Sequence, residues 1–169
     1  MIVAFIALSH EVKIITLAIK SVIKKAGIPI DVFLQTAEDM ADQQKLDEFI
    51  DFARRSNIVV MHLMGGKKSF TGFDSVVSAL REVNVPLFVS DVQFDNEVAS
   101  CSTVNQDDYQ KIHQYISYGG LENYENLLIF LANRFAGGHF EAKPPKKNAP
   151  TSDISPKVWP HLNVRGVYG

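Results

Sequence analysis

Four short apolar runs, each separated from the next by a stretch of helical periodicity, constrain the fold of this chain most strongly. The runs are Ile2–Leu8, Ile30–Leu34, Ile58–Met64 and Val85–Ser90. Successive side chains of a strand point to opposite faces of a sheet, so a strand that is apolar at every position is covered on both faces. Buried strands of this kind are typical of parallel sheets with helices on each side. The sequence therefore predicts an α/β fold.

The stretches between the apolar runs carry apolar residues at three- and four-residue steps, as a helix with one buried face does. Gly27 and Pro29 end the first of them, and Phe73–Val83 forms the third. Strands joined by helices form parallel pairs with right-handed crossovers. We therefore expect an open, doubly wound parallel sheet of flavodoxin-like order 2-1-3-4. Ligands of such sheets bind beyond the carboxyl ends of the strands, at the switch point between strands 1 and 3.

The composition indicates a folded protein without a strong electrostatic signature. Hydrophobic residues make up 46% of the 169 residues, which excludes a wholly disordered chain. The formal net charge of −2 predicts neither a nucleic-acid partner nor a polybasic membrane anchor. Cys101 is the single cysteine, so an intrachain disulfide is excluded, and the apolar Met1–Leu8 run is too short to span a membrane. We expect a cytoplasmic protein with no membrane span.

Two adjacent glycines, Gly119 and Gly120, separate two stretches of helical period near the end of the apolar part of the chain. Glycine adopts the left-handed conformation just past a helix end without steric cost. Glu122 then places a negative charge in the first turn of the next helix, where the helix dipole favours it. The second stretch has one apolar stripe, formed by Leu121, Tyr124, Leu127, Leu128, Leu131 and Phe135. This pattern predicts a helix pair that closes the domain.

The amino-acid composition of the sequence changes after Phe135. Lys143–Pro150 is rich in proline and lysine, which favours extended and solvated backbone. We therefore predict two parts: a flavodoxin-like α/β domain over residues 1–138, with the helix pair at its end, and a Pro/Lys-rich linker over residues 139–169. The linker is expected to lead to a downstream domain that is missing from this chain.

Most known nucleotide-binding and metal-binding motifs are missing from the sequence. The first strand ends in Ser9-His10-Glu11, without the glycine-rich dinucleotide fingerprint, and the loop Gly65–Gly72 lacks the spacing of a phosphate-binding loop. The five histidines have no neighbouring ligand at metal spacing: they are His10, His62, His113, His139 and His161. We predict no catalytic residue and no metal site in this chain.

Two loops are candidates for ligand binding because they follow strands 1 and 3. Ser9 and His10 form the first, and Gly65, Gly66 and Lys67 form the second. Paired glycines let the backbone approach a ligand closely, and a lysine can meet a carboxylate or a phosphate. The alternatives are structural: Ser9 caps a helix beside a solvated His10, and the glycine loop is a turn with solvated lysines.

A third group begins the last helix. Glu122, Asn123 and Asn126 cluster on its first turns. Asn123 can bridge to another segment or domain, or it can belong to a capped and solvated helix start. Both interpretations stay open at the level of sequence.

The run Tyr118–Asn123, followed by Leu127-Leu128, resembles the Gly-Gly-x-Glu-Asn signature in the N-terminal part of cobaltochelatase large subunits. The same family includes the large subunit of magnesium chelatase. The signature residues are then Gly119, Gly120, Glu122 and Asn123. An apolar strand that ends in Gly65-Gly66 supports the resemblance, and Pro160–Tyr168 is similar to the family's entry to its next domain. The resemblance spans most of the chain, whereas the family's proteins are far longer.

The resemblance implies a subunit that binds a tetrapyrrole and takes part in a ligase reaction forming nitrogen–metal bonds. Either cobalt enters a corrin precursor in cobalamin biosynthesis, or magnesium enters a porphyrin in porphyrin biosynthesis. ATP, with Mg²⁺, is hydrolysed on separate ATPase partner subunits. The family's metal and macrocycle site is built largely from segments downstream of this region, so the resemblance implies that this chain alone is not catalytic and binds no cofactor.

The expected partners are the downstream domains of the same parent chain, the ATPase subunits and the tetrapyrrole. One alternative remains, of a different class. The chain can instead be a stand-alone flavodoxin-like module that binds a small anionic ligand or a protein partner.

Overall fold

The computed structural model of the chain describes residues 1–147, and its four strands form one parallel sheet. The strands are β1 (Ile2–Ile6), β2 (Asp31–Gln35), β3 (Ile58–Leu63) and β4 (Leu87–Asp91). Their order is β2-β1-β3-β4, and every neighbouring pair is parallel. The predicted α/β fold and strand order are confirmed.

Helices cover both faces of this sheet. They are α1 (Val12–Ala26), α2 (Gln43–Ala53), α3 (Phe73–Val83), α4 (Asn96–Ala99), α5 (Gln106–Tyr118) and α6 (Leu121–Phe135). Short 3-10 turns occupy Ser9–Glu11, Glu38–Ala41 and Gly66–Ser69. Within residues 1–147, no helix has both the length and the apolar composition needed to cross a bilayer.

Alternation along the strands divides the interior into two cores. Val3 and Phe5 of β1 pack with buried side chains of α1, α5 and α6, whereas Ala4 and Ile6 pack with those of α2 and α3. Because the side chains of a strand alternate between faces, neighbouring residues of one strand contribute to different cores. This burial on both faces explains why the strands read as continuous apolar runs.

The connection after β4 is more ordered than the sequence indicates. The sequence of residues 91–104 shows no clear apolar period, but the segment contains α4, whose first turn is capped by the side chain of Asp95. The chain then returns along β4: Thr103 N–H donates to Leu87 O at 2.8 Å, and Val89 N–H donates to the Ser102 hydroxyl at 2.9 Å. An aspartate cap and side-chain pairing thus give order here without an apolar period.

The helix pair at the end of the domain is confirmed. Asn105 caps α5 by accepting from Asp108 N–H at 2.8 Å. Gly119 has φ 63° and ψ −168°, and Gly120 has φ 86° and ψ 159°. This combination of dihedrals is open almost only to glycine. The two glycines therefore let the chain turn sharply from α5 into α6, which packs against α1.

The chain continues past α6 as an extended segment, residues 139–147, without regular secondary structure. It lies along α6 and is hydrogen-bonded to that helix at several points. The domain boundary at residue 138 and the linker to residue 169 stay predictions. The run Pro160–Tyr168, which supported the resemblance, lies outside the described residues.

Candidate functional site

A buried polar cluster lies where β1 and β3 run side by side, at the expected switch point of the sheet. Glu11 belongs to the turn that follows β1, His62 lies in β3, and Tyr124 lies on α6. His62 Nδ1 is 3.0 Å from each carboxylate oxygen of Glu11, and the Tyr124 hydroxyl donates to Glu11 Oε2 at 2.7 Å. We call these three residues the switch-point cluster. It joins the sheet to α6 through a carboxylate that is only 6% exposed.

The carboxylate of Glu11 is held by more than one donor. In addition to His62 and Tyr124, the backbone N–H of Leu8 donates to Oε1 at 2.9 Å. Burial acts to raise the pKa of Glu11, but the hydrogen bond and charge interaction with His62 and the bonds from Tyr124 and Leu8 outweigh it. The pKa of Glu11 is therefore lowered, and the group stays ionised at neutral pH. Burial and the nearby Glu11 raise the pKa of Tyr124, so this phenol remains a donor.

Little free space adjoins the cluster. The adjacent cavity has a volume of about 10 Å³ and is lined mainly by apolar side chains, among them Phe5, Ile15, Val60 and Ile116. A cavity of this size is at the lower limit for one water molecule. In many enzymes and metal sites, a carboxylate is hydrogen-bonded to a histidine that acts as a general base or binds a metal, and it orients the imidazole ring. The cavity that these side chains line is far smaller than a substrate, and their contacts join β3, the turn after β1 and α6.

Ser9 and His10 lie on the same turn as Glu11, and both are solvent-exposed. The residue that caps α1 is Glu11, without a side-chain bond to the first helical turn. The alternative in which Ser9 caps the helix is therefore not what the structure shows. Ligand binding by Ser9 and His10 stays a prediction.

The predicted glycine loop follows β3, at the same edge of the sheet. Gly65 and Gly66 have φ values of 100° and 71°, and Gly66 N–H donates to Asp91 Oδ2 at 2.7 Å. Lys67 Nζ lies 3.1 Å from Glu97 and 3.5 Å from Asp74, and its pKa is raised, mainly by the bond to Glu97. The groups that we expected to meet an anion are thus bonded to carboxylates of the protein itself. Ligand binding by Gly65, Gly66 and Lys67 stays a prediction.

The signature residues occupy the turn between α5 and α6. Asn123 is 1% exposed, and its Nδ2 donates both to Gly119 O at 2.7 Å and to Lys146 O at 2.9 Å. Its Oδ1 accepts from Lys146 N–H at 2.9 Å. Of the two interpretations of Asn123, the structure has the one that bridges to another segment. Glu122 is half-buried, with Lys143 Nζ at 4.0 Å.

The switch-point cluster was not predicted from the sequence. His62 and Tyr124 lie 51 and 113 positions from Glu11, so no local spacing connects the three residues. A signal was nevertheless present. His62 is a polar residue inside an otherwise apolar strand, and Glu11 belongs to the turn that follows β1. Both positions are at the edge where parallel folds place functional groups.

Among residues 1–147, no group of three or more His, Cys, Asp or Glu side chains is arranged to hold a metal ion. Cys101 is a free thiol and half-buried.

Comparison with known proteins gives long matches to small parts of much larger proteins. No protein-family model matches the chain. The uncharacterized protein MJ0908 of Methanocaldococcus jannaschii is 31% identical over 150 residues, which cover 86% of this chain and 11% of that protein. Among solved structures, the catalytic subunit of cobaltochelatase from Mycobacterium tuberculosis matches 87% of this chain and 11% of its own, with a TM-score of 0.62 and 21% identity.

The structural match shows a shared fold. The chain spans about a ninth of the length of both proteins. The α/β fold with sheet order β2-β1-β3-β4 thus also occurs as part of a cobaltochelatase catalytic subunit.

Proposed function

We propose that the chain is the N-terminal domain of the large, tetrapyrrole-binding subunit of an ATP-dependent metal chelatase. The observation that carries this proposal is the structural likeness to a cobaltochelatase catalytic subunit over 87% of the chain. Because that likeness covers 11% of the larger protein, the reaction is proposed for a longer assembly and not for this domain alone. The proposed reaction is insertion of cobalt into a corrin precursor in cobalamin biosynthesis, or of magnesium into a porphyrin.

The geometry of the signature residues supports this assignment. Gly119 and Gly120 have dihedral angles that other residues rarely adopt, and Asn123 makes three hydrogen bonds while almost fully buried. Each of these positions therefore requires the residue type that it has. A signature at this turn would then have a structural role, which agrees with a domain that is not itself catalytic.

We further propose that the domain covers or gates the tetrapyrrole site and does not catalyse insertion. The switch-point cluster is packed against a cavity of about 10 Å³, which is far too small for a macrocycle. The metal and the ring would then be held largely by downstream domains, with this domain contacting one face of the ring, and ATP and Mg²⁺ would be held by separate ATPase subunits. A cytoplasmic location is part of the same proposal.

The alternative of a stand-alone module for a small anion has weaker support. Gly66 N–H and Lys67 are the groups best placed to hold an anion, and they are bonded to Asp91 and Glu97. An incoming anion would have to displace these carboxylates.

An absorbance titration separates the two functions. A metal-free corrin and a metal-free porphyrin are each titrated with the complete chain, and inorganic phosphate is titrated by calorimetry. The proposal predicts a saturable absorbance change for one of the tetrapyrroles that phosphate does not reverse and Lys67→Ala does not alter. Binding of phosphate that Lys67→Ala abolishes, with no response from either tetrapyrrole, would support the anion module.

A further inference from the structure

Asparagines of α6 hold the extended segment that follows the helix. Asn133 Oδ1 accepts from Phe140 N–H at 2.8 Å, and Asn133 Nδ2 donates to Phe140 O at 2.7 Å. Asn123 makes the same pair of bonds with Lys146, both at 2.9 Å. Between them, Asn126 Oδ1 accepts from Lys143 N–H at 2.8 Å. We call Asn123, Asn126 and Asn133 the asparagine face of α6.

These bonds recognise backbone and not side chains. A primary amide presents a donor and an acceptor side by side, as the backbone of a neighbouring strand does. Asn123 and Asn133 use both groups on one residue of the segment, whereas Asn126 gives its donor to Glu122 O at 2.9 Å in its own helix. Asn123 and Asn126 are 1% and 8% exposed with the segment in place, so undocking would exchange these bonds for bonds to water.

The spacing in the segment fits this mode of recognition. The docked amides, those of Phe140, Lys143 and Lys146, recur every three residues. Three residues is the repeat of a polyproline II helix, so positions at this spacing lie on one face of such a chain. Pro144 and Pro145 stand between the last two docked amides, where no N–H is needed.

Helix α5 adds contacts to the same segment. The Tyr115 hydroxyl donates to Lys143 O, and Lys147 Nζ lies 5.9 Å from the centre of the Tyr118 ring. Burial raises the pKa of Tyr115 to about 12, so the phenol is a neutral donor over the physiological range. An aromatic side and a polar side together form a groove of the kind that binds proline-containing peptides.

We propose that the asparagine face of α6 is a docking surface for extended, proline-containing backbone, that its occupant is residues 139–147 of this chain, and that this docking holds the segment in one fixed path along the helix pair. The segment is then a rigid joint and not a flexible linker. If the domain belongs to a larger subunit, the joint sets its orientation relative to the next part. The docking itself does not depend on the proposed function.

Amide hydrogen exchange of the complete chain tests this inference directly. The amides of Phe140, Lys143 and Lys146 are expected to exchange more slowly than those of Glu141, Ala142 and Lys147, which make no docking bond. Replacing all three asparagines of the docking face by alanine should accelerate exchange of the docked amides by about tenfold.

The matched control is Gln114→Ala, which removes an exposed amide from α5 and should leave the exchange pattern unchanged. Slow hydrogen exchange at the amides of β1 and β3 shows that a variant is folded. If the triple variant is unfolded, Asn133→Ala alone should release Phe140 while leaving Lys146 protected. Equal exchange rates across residues 140–147 in the unaltered chain would overturn the proposal, whatever the chain's role in metal insertion.

The two prolines provide an independent test. Replacing Pro144 and Pro145 by alanine enlarges the set of conformations open to the undocked segment and leaves every docking bond available. The Lys146 amide should then exchange about 2- to 10-fold faster. An unchanged rate would show that preorganisation of the segment plays no part in docking.

Discussion

At the scale of single residues, Glu11 carries a buried carboxylate that depends on several hydrogen-bond partners. It accepts bonds from a ring nitrogen, a phenol and a backbone amide that come from three different elements. A buried carboxylate is tolerated only when such partners compensate for lost hydration. The hydroxyl of Tyr124 thus stabilises the fold through Glu11 as well as through its own burial.

Tyr124→Phe removes one hydrogen bond to a buried charge and keeps the ring in the core. We expect a loss of about 1.5–3 kcal/mol in the free energy of unfolding, measured by urea denaturation. Tyr109→Phe is the matched control, because its hydroxyl makes a longer bond of 3.3 Å to Val89 O between neutral groups. It should cost about 0.5 kcal/mol. Equal losses in the two variants would contradict the role assigned to the cluster.

The stability contributed by Glu11 should depend on pH in a defined direction. Its pKa in the folded protein is lower than the ordinary value of 4.5, so the folded state favours the ionised form. The contribution is therefore complete above pH 4.5 and is lost as the pH falls through the folded pKa.

Glu11→Gln tests that dependence. The variant should be less stable than the unaltered chain at pH 7, and the difference in urea midpoint should shrink as the pH falls below 4.5. A difference that stays constant or grows toward acid pH would show that Glu11 is not held as a carboxylate.

At the scale of elements, the turn between α5 and α6 depends on backbone conformation more than on packing. An added Cβ at Gly119 would come no closer than 3.8 Å to other atoms, an ordinary contact. The requirement for glycine there arises from its φ of 63° combined with ψ of −168°. At Gly27, a Cβ would meet nothing within 4 Å, and the residue has the common left-handed conformation, φ 67° and ψ 22°.

Substitutions at these two glycines should therefore differ in cost although both have space. We expect Gly119→Ala to lower the free energy of unfolding by about 2–3 kcal/mol and Gly27→Ala by about 1 kcal/mol. Thermal and urea denaturation of the two variants measure the difference. If Gly27→Ala is the more destabilising change, the turn is not constrained as described.

The elements themselves were largely predictable because their signals are local. Apolar runs gave the strands, and the third helix was predicted with the bounds that it has, Phe73–Val83. The order around α4 was not predictable from apolar period, since a cap by Asp95 and pairing by Ser102 create it. The switch-point cluster was missed for a further reason: contacts such as that of Glu11 with Tyr124 form only when the sheet and α6 come together.

At the scale of the whole molecule, the described residues form a packed domain. Its distinguishing features lie in the outer helix pair, α5 and α6. Gly119, Gly120 and Asn123 determine how α5, α6 and residues 139–147 are joined. Both large relatives contain a region matched by most of this chain. Under the proposed function, the domain covers the tetrapyrrole site and the larger assembly performs the reaction.

The most direct test of the proposed function is whether this chain restores cobalt insertion to a shortened chelatase subunit. A cobaltochelatase catalytic subunit that lacks the region matched by this chain is combined with its ATPase partners, ATP, cobalt(II) and a metal-free corrin, with and without the 169-residue chain. Cobalt insertion is followed by absorbance. The account predicts that the chain alone inserts no cobalt above the buffer rate and that its addition to the shortened subunit raises the insertion rate. Insertion by the isolated chain at a rate comparable with the complete complex would contradict the account, as would a shortened subunit whose rate the chain leaves unchanged.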